Sequence, residues 1–405
     1  MGMHVDHETL CPRLRRVTLF RTSRRTAAVI AGSAVVLSAT VATVLLLTDN
    51  AQPLPAAAGA GSMAVRAAGR HAAPPEQVER VSPADGAKGL SGSRPITFTF
   101  SAPLADSSAL PVLSPAVPGQ WRRAGNTATF TPSQPFPGGI RVSLQVPGGI
   151  EGVRSDAGGQ LPQTWASSFT TRPYAVLRLQ QILAQLGYLP LSWTPAERAA
   201  LPGTAAGAQI AAAYSPPPGD FRWLNHWPSS LQDQWRPGSP NMLDVGAIYG
   251  FEADHGMTPD GDASPAVWAA LLKAAVTDKR GNTHGYSYAI ATRSIPNTLT
   301  IWHNGREVLS SPTNTGIAAR PTPLGTWPVY EKLPFQVMTG HNPNGSYYAD
   351  PVQWVSYFTD GSAVHYYARG SYGWPQSLGC LELPYTAAKT SYGYLPYGTL
   401  ITVVP

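Results

Sequence analysis

Cys380 and His365 carry the two side chains best suited to covalent chemistry. Cys380 sits in the run Ser377-Leu378-Gly379-Cys380-Leu381-Glu382-Leu383, and His365 lies fifteen positions upstream. A free thiol has a pKa of about 8.5, so a useful nucleophile needs help in becoming a thiolate. An imidazole supplies that help: it accepts the thiol proton and later returns one to a leaving amine. Gly379 lets the backbone bend closely, so that N–H groups there can face a developing oxyanion. Together these residue types spell acyl transfer. Each alone has a plainer reading. A lone cysteine is often an inert buried hydrophobe, and His365, flanked by Val364 and Tyr366, suits a structural place in a strand.

The other cysteine, Cys11, lies within a tail whose six arginines (Arg13, Arg15, Arg16, Arg21, Arg24 and Arg25), less Asp6 and Glu8, hold +4 of the net charge of +6. The remaining +2 is spread over the rest of the 405 residues, which argues against a nucleic-acid-binding surface. Residues 1–25 therefore read as a basic cytoplasmic tail. The uncharged stretch Thr26–Thr48 is long enough to span roughly 30 Å of hydrocarbon. Arginines before it and none immediately after predict the N-terminus inside and the rest outside, a single-pass envelope protein. The competing reading is a cleaved signal peptide with its cleavage region near Ala56, giving a secreted protein. On either reading, Cys380 shares no compartment with Cys11, and no internal disulfide is expected.

With 40 prolines, 39 glycines and 13% charged residues, the chain reads as a multidomain, mainly β protein. Residues 49–76 form an Ala/Pro/Gly-rich linker. Over 77–172, Ile96–Phe100, Thr127–Phe130 and Arg141–Val146 alternate apolar and polar residues, as strands of a small sandwich do. Residues 173–282 bring a small helical module. Val176, Leu179, Ile182, Leu183 and Leu186 share one face, Gly187 ends that helix, and Ser264-Pro265 caps a final one. Leu191–Asn241, with Trp193, Trp223, Trp227 and Trp235, reads as an insertion, either packed on its neighbour or presenting aromatics to a glycan. Residues 286–405 are again β-rich, with Asn304-Gly305 marking a hairpin, Gly398–Val403 a closing strand, and no long helix expected.

The ordered landmarks over Tyr286–Pro405 resemble the L,D-transpeptidase (YkuD-like) catalytic domain. They are Asn304-Gly305, Thr322-Pro323-Leu324-Gly325-Thr326-Trp327, His365, the Ser377-Leu378-Gly379-Cys380 signature and Gly398-Thr399. The resemblance implies Cys380 as nucleophile, His365 as base, and Ser377 and Gly379 in the signature loop, with the N–H groups of Gly379 and Cys380 as the oxyanion hole. It implies attack on a peptidoglycan stem tetrapeptide, release of D-alanine, and a thioester resolved by a neighbouring stem's amine into a 3→3 cross-link. Alternatives are an L,D-carboxypeptidase or a non-catalytic wall-binding scaffold. A carbapenem is the covalent inhibitor class implied.

Three positions depart from the family: Leu378 in place of His or Asn, Glu382 in place of Arg, and Tyr366 in place of Gly. Tyr347, Tyr348, Trp354, Tyr366 and Arg369 are candidate substrate contacts. Core or surface packing is the plainer reading of Tyr347, Tyr348 and Trp354, and Arg369 is either a solvated loop arginine or a receptor for a stem-peptide carboxylate. Zinc is disfavoured, because His303, His341, His365 and Cys380 lack paired ligand spacing, and no cofactor is expected. The first module resembles bacterial Ig-like domains through Ser82–Ala87, Phe98–Ser101 and Ser168–Thr171. The helical one resembles peptidoglycan-binding-like domains through Leu177–Tyr188, Gly246–Glu252 and Met257–Gly261.

Overall fold

Alternation of buried and more exposed side chains along Ile96–Phe100, Thr127–Phe130 and Arg141–Val146 organises the first module, as their sequence requires. The computed structural model describes residues 73–197, 201–277 and 281–405. The stretches read as a cytoplasmic tail (1–25) and an anchor or signal segment (26–48), with Cys11 and most of the expected linker, lie outside the described residues. No described helix is long and apolar enough to cross a membrane.

Seven strands build the sandwich: β1 (Val78–Ser82), β2 (Ile96–Phe100), β3 (Val112–Ser114), β4 (Gly119–Ala124), β5 (Thr127–Pro132), β6 (Arg141–Val146) and β7 (Trp165–Thr170). They form sheets of order β1-β2-β5-β4 and β3-β6-β7. Ile96, Phe98 and Phe100 point inward from one sheet, Val142, Leu144 and Val146 from the other, and all six are fully buried. Burial of one such side chain stabilises the fold by about 1.5–3 kcal/mol.

The helical module contains α1 (Val176–Leu186), β8 (Leu191–Pro195), α2 (Ala206–Tyr214), β9 (Gly219–Trp223), α3 (Ser229–Gln232), α4 (Met242–Asp254) and α5 (Pro265–Val276). Gly187 caps α1 in the left-handed region, and the Ser264 Oγ accepts from the Val267 N–H at the start of α5. Asn241 and Asp244 close a reciprocal capping box on α4. The insertion folds as the β8–β9 hairpin with α2 and α3. Trp193 and Trp227 are buried in the module's core, and Trp223 and Trp235 pack against it. These rings have partners already, so the glycan-stacking platform is not formed.

The last module contains β10 (Ser287–Thr292), β11 (Thr298–His303), β12 (Arg306–Pro312), β13 (Thr315–Gly316), β14 (Gly325–Pro328), β15 (Glu331–His341), β16 (Tyr347–Thr359), β17 (Ser362–Tyr366), β18 (Pro375–Ser377), β19 (Leu381–Leu383), α6 (Tyr385–Tyr394) and β20 (Leu400–Val404). Sheet β12-β11-β10-β20-β14 faces sheet β15-β16-β17-β19 across a core of Ala289, Ile301, Phe358, Val364, Leu381, Leu383 and Ile401. Helix α6, ten residues long and absent from the sequence reading, places Ala388 in that core.

The helical core continues into this module through Tyr288 and Leu400. The Tyr288 hydroxyl lies 2.9 Å from Ser230 Oγ and 2.7 Å from Thr402 Oγ1. Gly246 of α4 meets the Gly398 turn backbone to backbone, and a Cβ on Gly398 would sit 1.9 Å from the Gly246 carbonyl oxygen. Both positions need glycine for this close approach.

Candidate active site

The period-two pleat of β17 and β19 decides which side chains meet. The two strands run parallel with His365 opposite Glu382 and Val364 opposite Leu381. Paired residues of one parity share a face. Val364, Leu381 and Leu383 take the core side, which sends His365, Glu382 and Cys380 to the other. There a cavity of about 340 Å³ is lined by His365, Cys380, Ser377, Leu378, Glu382, Arg369, Tyr348 and Asp350, among others. Other clefts, of about 370, 650 and 630 Å³, carry no cysteine.

His365 is almost fully buried. Its Nδ1 lies 3.1 Å from the Tyr366 carbonyl oxygen. A carbonyl only accepts, so Nδ1 carries the proton and Nε2 presents its lone pair. Burial lowers the imidazole pKa below its ordinary value, and the Tyr366 carbonyl and Glu382 charge oppose that only in part. The neutral form, the one able to act as a base, is therefore favoured.

Cys380 is a free thiol, half-buried at the cleft. Its desolvated surroundings push it up to about 12, the Glu382 charge adds to the rise, and a hydrogen bond from the Ala363 N–H offsets only part of it. As a donor the thiol reaches the Gly361 carbonyl, at 3.8 Å, and not His365. The resting pair is a neutral thiol beside a neutral imidazole. Such a thiol reacts only if its proton is taken as the new bond forms.

Ser377 ties the signature loop. Its Oγ donates to the Cys380 carbonyl at 2.7 Å and accepts from the Gly379 N–H at 3.2 Å. The Gly379 N–H is thus engaged within the loop rather than turned to the cleft, contrary to its expected part in the oxyanion hole. The cause is the short reach of the Ser377 hydroxyl two residues back. What Gly379 supplies is a φ of 123°, a conformation L side chains rarely adopt.

Arg369 also departs from expectation. Its Nε and Nη2 donate to Glu382 Oε2 and Oε1, both at 2.8 Å, and Nη2 also donates to the Gln376 carbonyl. The guanidinium is committed to Glu382, so it is not presented as a free receptor for a substrate carboxylate. Glu382, 4% exposed, is further held by the Asn314 Nδ2 at 3.1 Å, and the Asn314 and Glu382 backbones bond to each other in both directions. The acidic residue that replaces the family's arginine is compensated from within the chain.

Tyr348 lines the cleft, but Trp354 and Tyr366 do not. Tyr366 follows His365 by one residue, so the pleat turns it to the opposite face, against the Tyr385 ring at 5.2 Å. Trp354 shares the parity of Tyr348 and Val352, which do face the cleft. A bulge between Gln353 and Ser356 with Trp354 at φ 61° reverses the parity and sends the indole to Tyr385 and Tyr392. Tyr347 sits on the outer face of the β15–β16 hairpin, 63% exposed. Sequence reasoning missed Asp350 and Asn314, which stand outside any motif. Two-residue spacing from Tyr348 was the signal for Asp350. No group of metal ligands occurs among the described residues.

Two family models match parts of the chain. The family model described as the YkuD L,D-transpeptidase catalytic domain matches residues 288–404, and that of the bacterial Ig-like domain matches residues 71–171. No match to a curated protein is found. Similar solved structures include an L,D-transpeptidase from Mycobacterium smegmatis, 16% identical with a TM-score of 0.28, covering 81% of this chain and 99% of that one. L,D-transpeptidase 3 from Mycobacterium tuberculosis, solved with a faropenem-derived adduct, is 15% identical with a TM-score of 0.28, covering 81% and 98%. The catalytic domain of the E. faecium L,D-transpeptidase is 22% identical with a TM-score of 0.26, covering 30% and 99%.

Proposed function

We propose that this chain, which carries an L,D-transpeptidase catalytic domain behind a bacterial Ig-like domain, cross-links peptidoglycan through a thioester on Cys380. The observation that carries the reading is the placement of Cys380 and His365 on one sheet face in one cleft, with the imidazole tautomer fixed by the Tyr366 carbonyl.

The Cys380 sulfur attacks the carbonyl between the third and fourth residues of a stem tetrapeptide. His365 Nε2 takes the thiol proton as the C–S bond forms. The same nitrogen gives that proton to the departing amine as the C–N bond breaks, freeing D-alanine and leaving a thioester. A side-chain amine of a second stem then attacks. His365 takes its proton and returns it to sulfur, and a 3→3 amide bond remains. The Cys380 N–H, adjacent to the reacting sulfur, is the backbone donor best placed for the oxyanion.

A membrane anchor at 26–48 and the Ig-like module would hold this domain outside the cytoplasm, within reach of the wall. The helical module, resembling peptidoglycan-binding-like domains, would add contacts to the same polymer. A β-lactam such as a carbapenem would acylate the same sulfur.

The test is product analysis by mass spectrometry, using a disaccharide-tetrapeptide donor with and without an acceptor stem bearing a free amine. Cross-linked dimer together with free D-alanine is expected. Tripeptide alone in the presence of acceptor would make the enzyme a hydrolase, and an untouched donor would remove the catalytic reading.

A further inference from the structure

The charge inventory of the cleft leaves one ionic group without a counter-charge. Arg369 and Glu382 neutralise each other bidentately. His365 and Cys380 are uncharged at neutral pH. Asp350 remains, on β16 opposite Met338, lining the same cavity as the sulfur. Its Oδ1 accepts from the Tyr367 hydroxyl at 3.0 Å. Tyr367 is itself fixed, with the Arg369 guanidinium 4.7 Å from its ring centroid and its carbonyl accepting from the Tyr372 hydroxyl at 2.7 Å. Oδ2 has no donor among the described residues. Arg320, exposed and outside the cleft lining, forms no ion pair with it. A carboxylate that lines the cavity with one oxygen held and the other without a donor among the described residues is suited to receive a cation.

We infer that Asp350 recognises the side-chain ammonium of the donor stem's third residue. The inference rests on the proposed reaction. The amine that the acceptor uses belongs to a stem peptide, and donor stems of the same kind carry that amine on the residue whose carbonyl Cys380 attacks. With the carbonyl at the sulfur, that residue's side chain lies in the cavity that Asp350 lines. The acceptor amine is the poorer occupant. A carboxylate beside it favours the protonated form, and an ammonium has no lone pair with which to attack a thioester.

The experiment measures kcat/KM for D-alanine release by the full chain. It uses two tetrapeptide donors that differ only in whether the third residue's side-chain amine is free or acetylated. The wild type is expected to prefer the free amine by about tenfold to a hundredfold, the range of a hydrogen bond to a charged group. Asp350→Asn is expected to bring that ratio close to one, and Asp350→Glu to keep part of it. A purely structural role for Asp350 would lower both donors alike and leave the ratio in place, which would overturn the inference. So would a wild type indifferent to acetylation, or an Asp350→Asn variant whose defect lies in thioester resolution instead of acylation. Release from neither donor by the wild type would overturn the stem-peptide reading itself.

Discussion

Strands β17 and β19 have two faces, and they differ as sharply as any two regions of the molecule. On one, Val364, Leu381 and Leu383 are fully buried with Ala289, Phe358 and Ile401. On the other, a residue away in each case, sit His365, Glu382 and Cys380. The apolar face gives nothing a reaction can use, and the polar face carries the reacting pair, with the Glu382–Arg369 ion pair as its own share of the fold's stability. One pleat therefore separates the apolar core from the chemistry at single-residue resolution, and substitutions on the two faces should fail in different ways.

The largest effect is expected from His365→Ala. Without a base the thiol, held near 12, has no route to the thiolate at neutral pH. Acylation by a carbapenem, followed by intact mass against time, should slow by about 10²–10⁴-fold. The wild-type profile carries a second signature. Burial lowers the His365 pKa, so the neutral base survives to more acidic pH than a free imidazole allows. Acylation should hold through pH 6.5 and fall below it, whereas a half-maximal rate at or above 6.5 would break the account. On the alkaline side, alkylation by iodoacetamide should keep climbing past pH 10.

Next comes the ion pair. Arg369→Ala strands the nearly buried Glu382 carboxylate, while Glu382→Ala leaves a guanidinium whose side chain is 30% exposed and can turn to water. Arg369→Ala should cost about 3–5 kcal/mol in urea unfolding and Glu382→Ala less, and the double variant should cost less than the two together. Equal single costs that add would mean the pair contributes nothing as a pair.

Leu381→Ala tests the opposite face. It should remove about 2–5 kcal/mol of stability while the folded fraction acylates at a rate within about threefold of wild type, since its side chain reaches no cleft atom. Smallest is Trp354→Phe. Its ring packs on Tyr385 and Tyr392, away from the sulfur, so KM for a tetrapeptide donor should change less than about twofold. A larger change would return Trp354 to the substrate groove.

The alternating strands and the caps at Gly187 and Ser264 were legible because each depends on residues within a few positions, whereas the pairing of Cys380 with His365, fifteen positions apart, rested on the family resemblance. What escaped depends on geometry that sequence spacing does not carry. Counting by twos from Tyr348 puts Trp354 in the cleft, and a single bulge residue undoes the count. Tyr366 was the opposite error, since simple alternation beside His365 already excludes it. Arg369 looked available because its partner, thirteen positions on, was read only as a departure from the family's usual arginine. Asn314 holds that partner from sixty-eight positions away. For the Leu191–Asn241 aromatics the sequence offered packing or presentation to a glycan, and the structure packs them into the helical module's core.

The central claim, that Cys380 is a nucleophile activated in this cleft, is tested most directly by intact mass of the full chain after incubation with a carbapenem, beside Cys380→Ala. The account predicts one covalent adduct on the wild type and none on a Cys380→Ala protein that remains folded. An unmodified wild type, or an adduct that persists on Cys380→Ala, would contradict it.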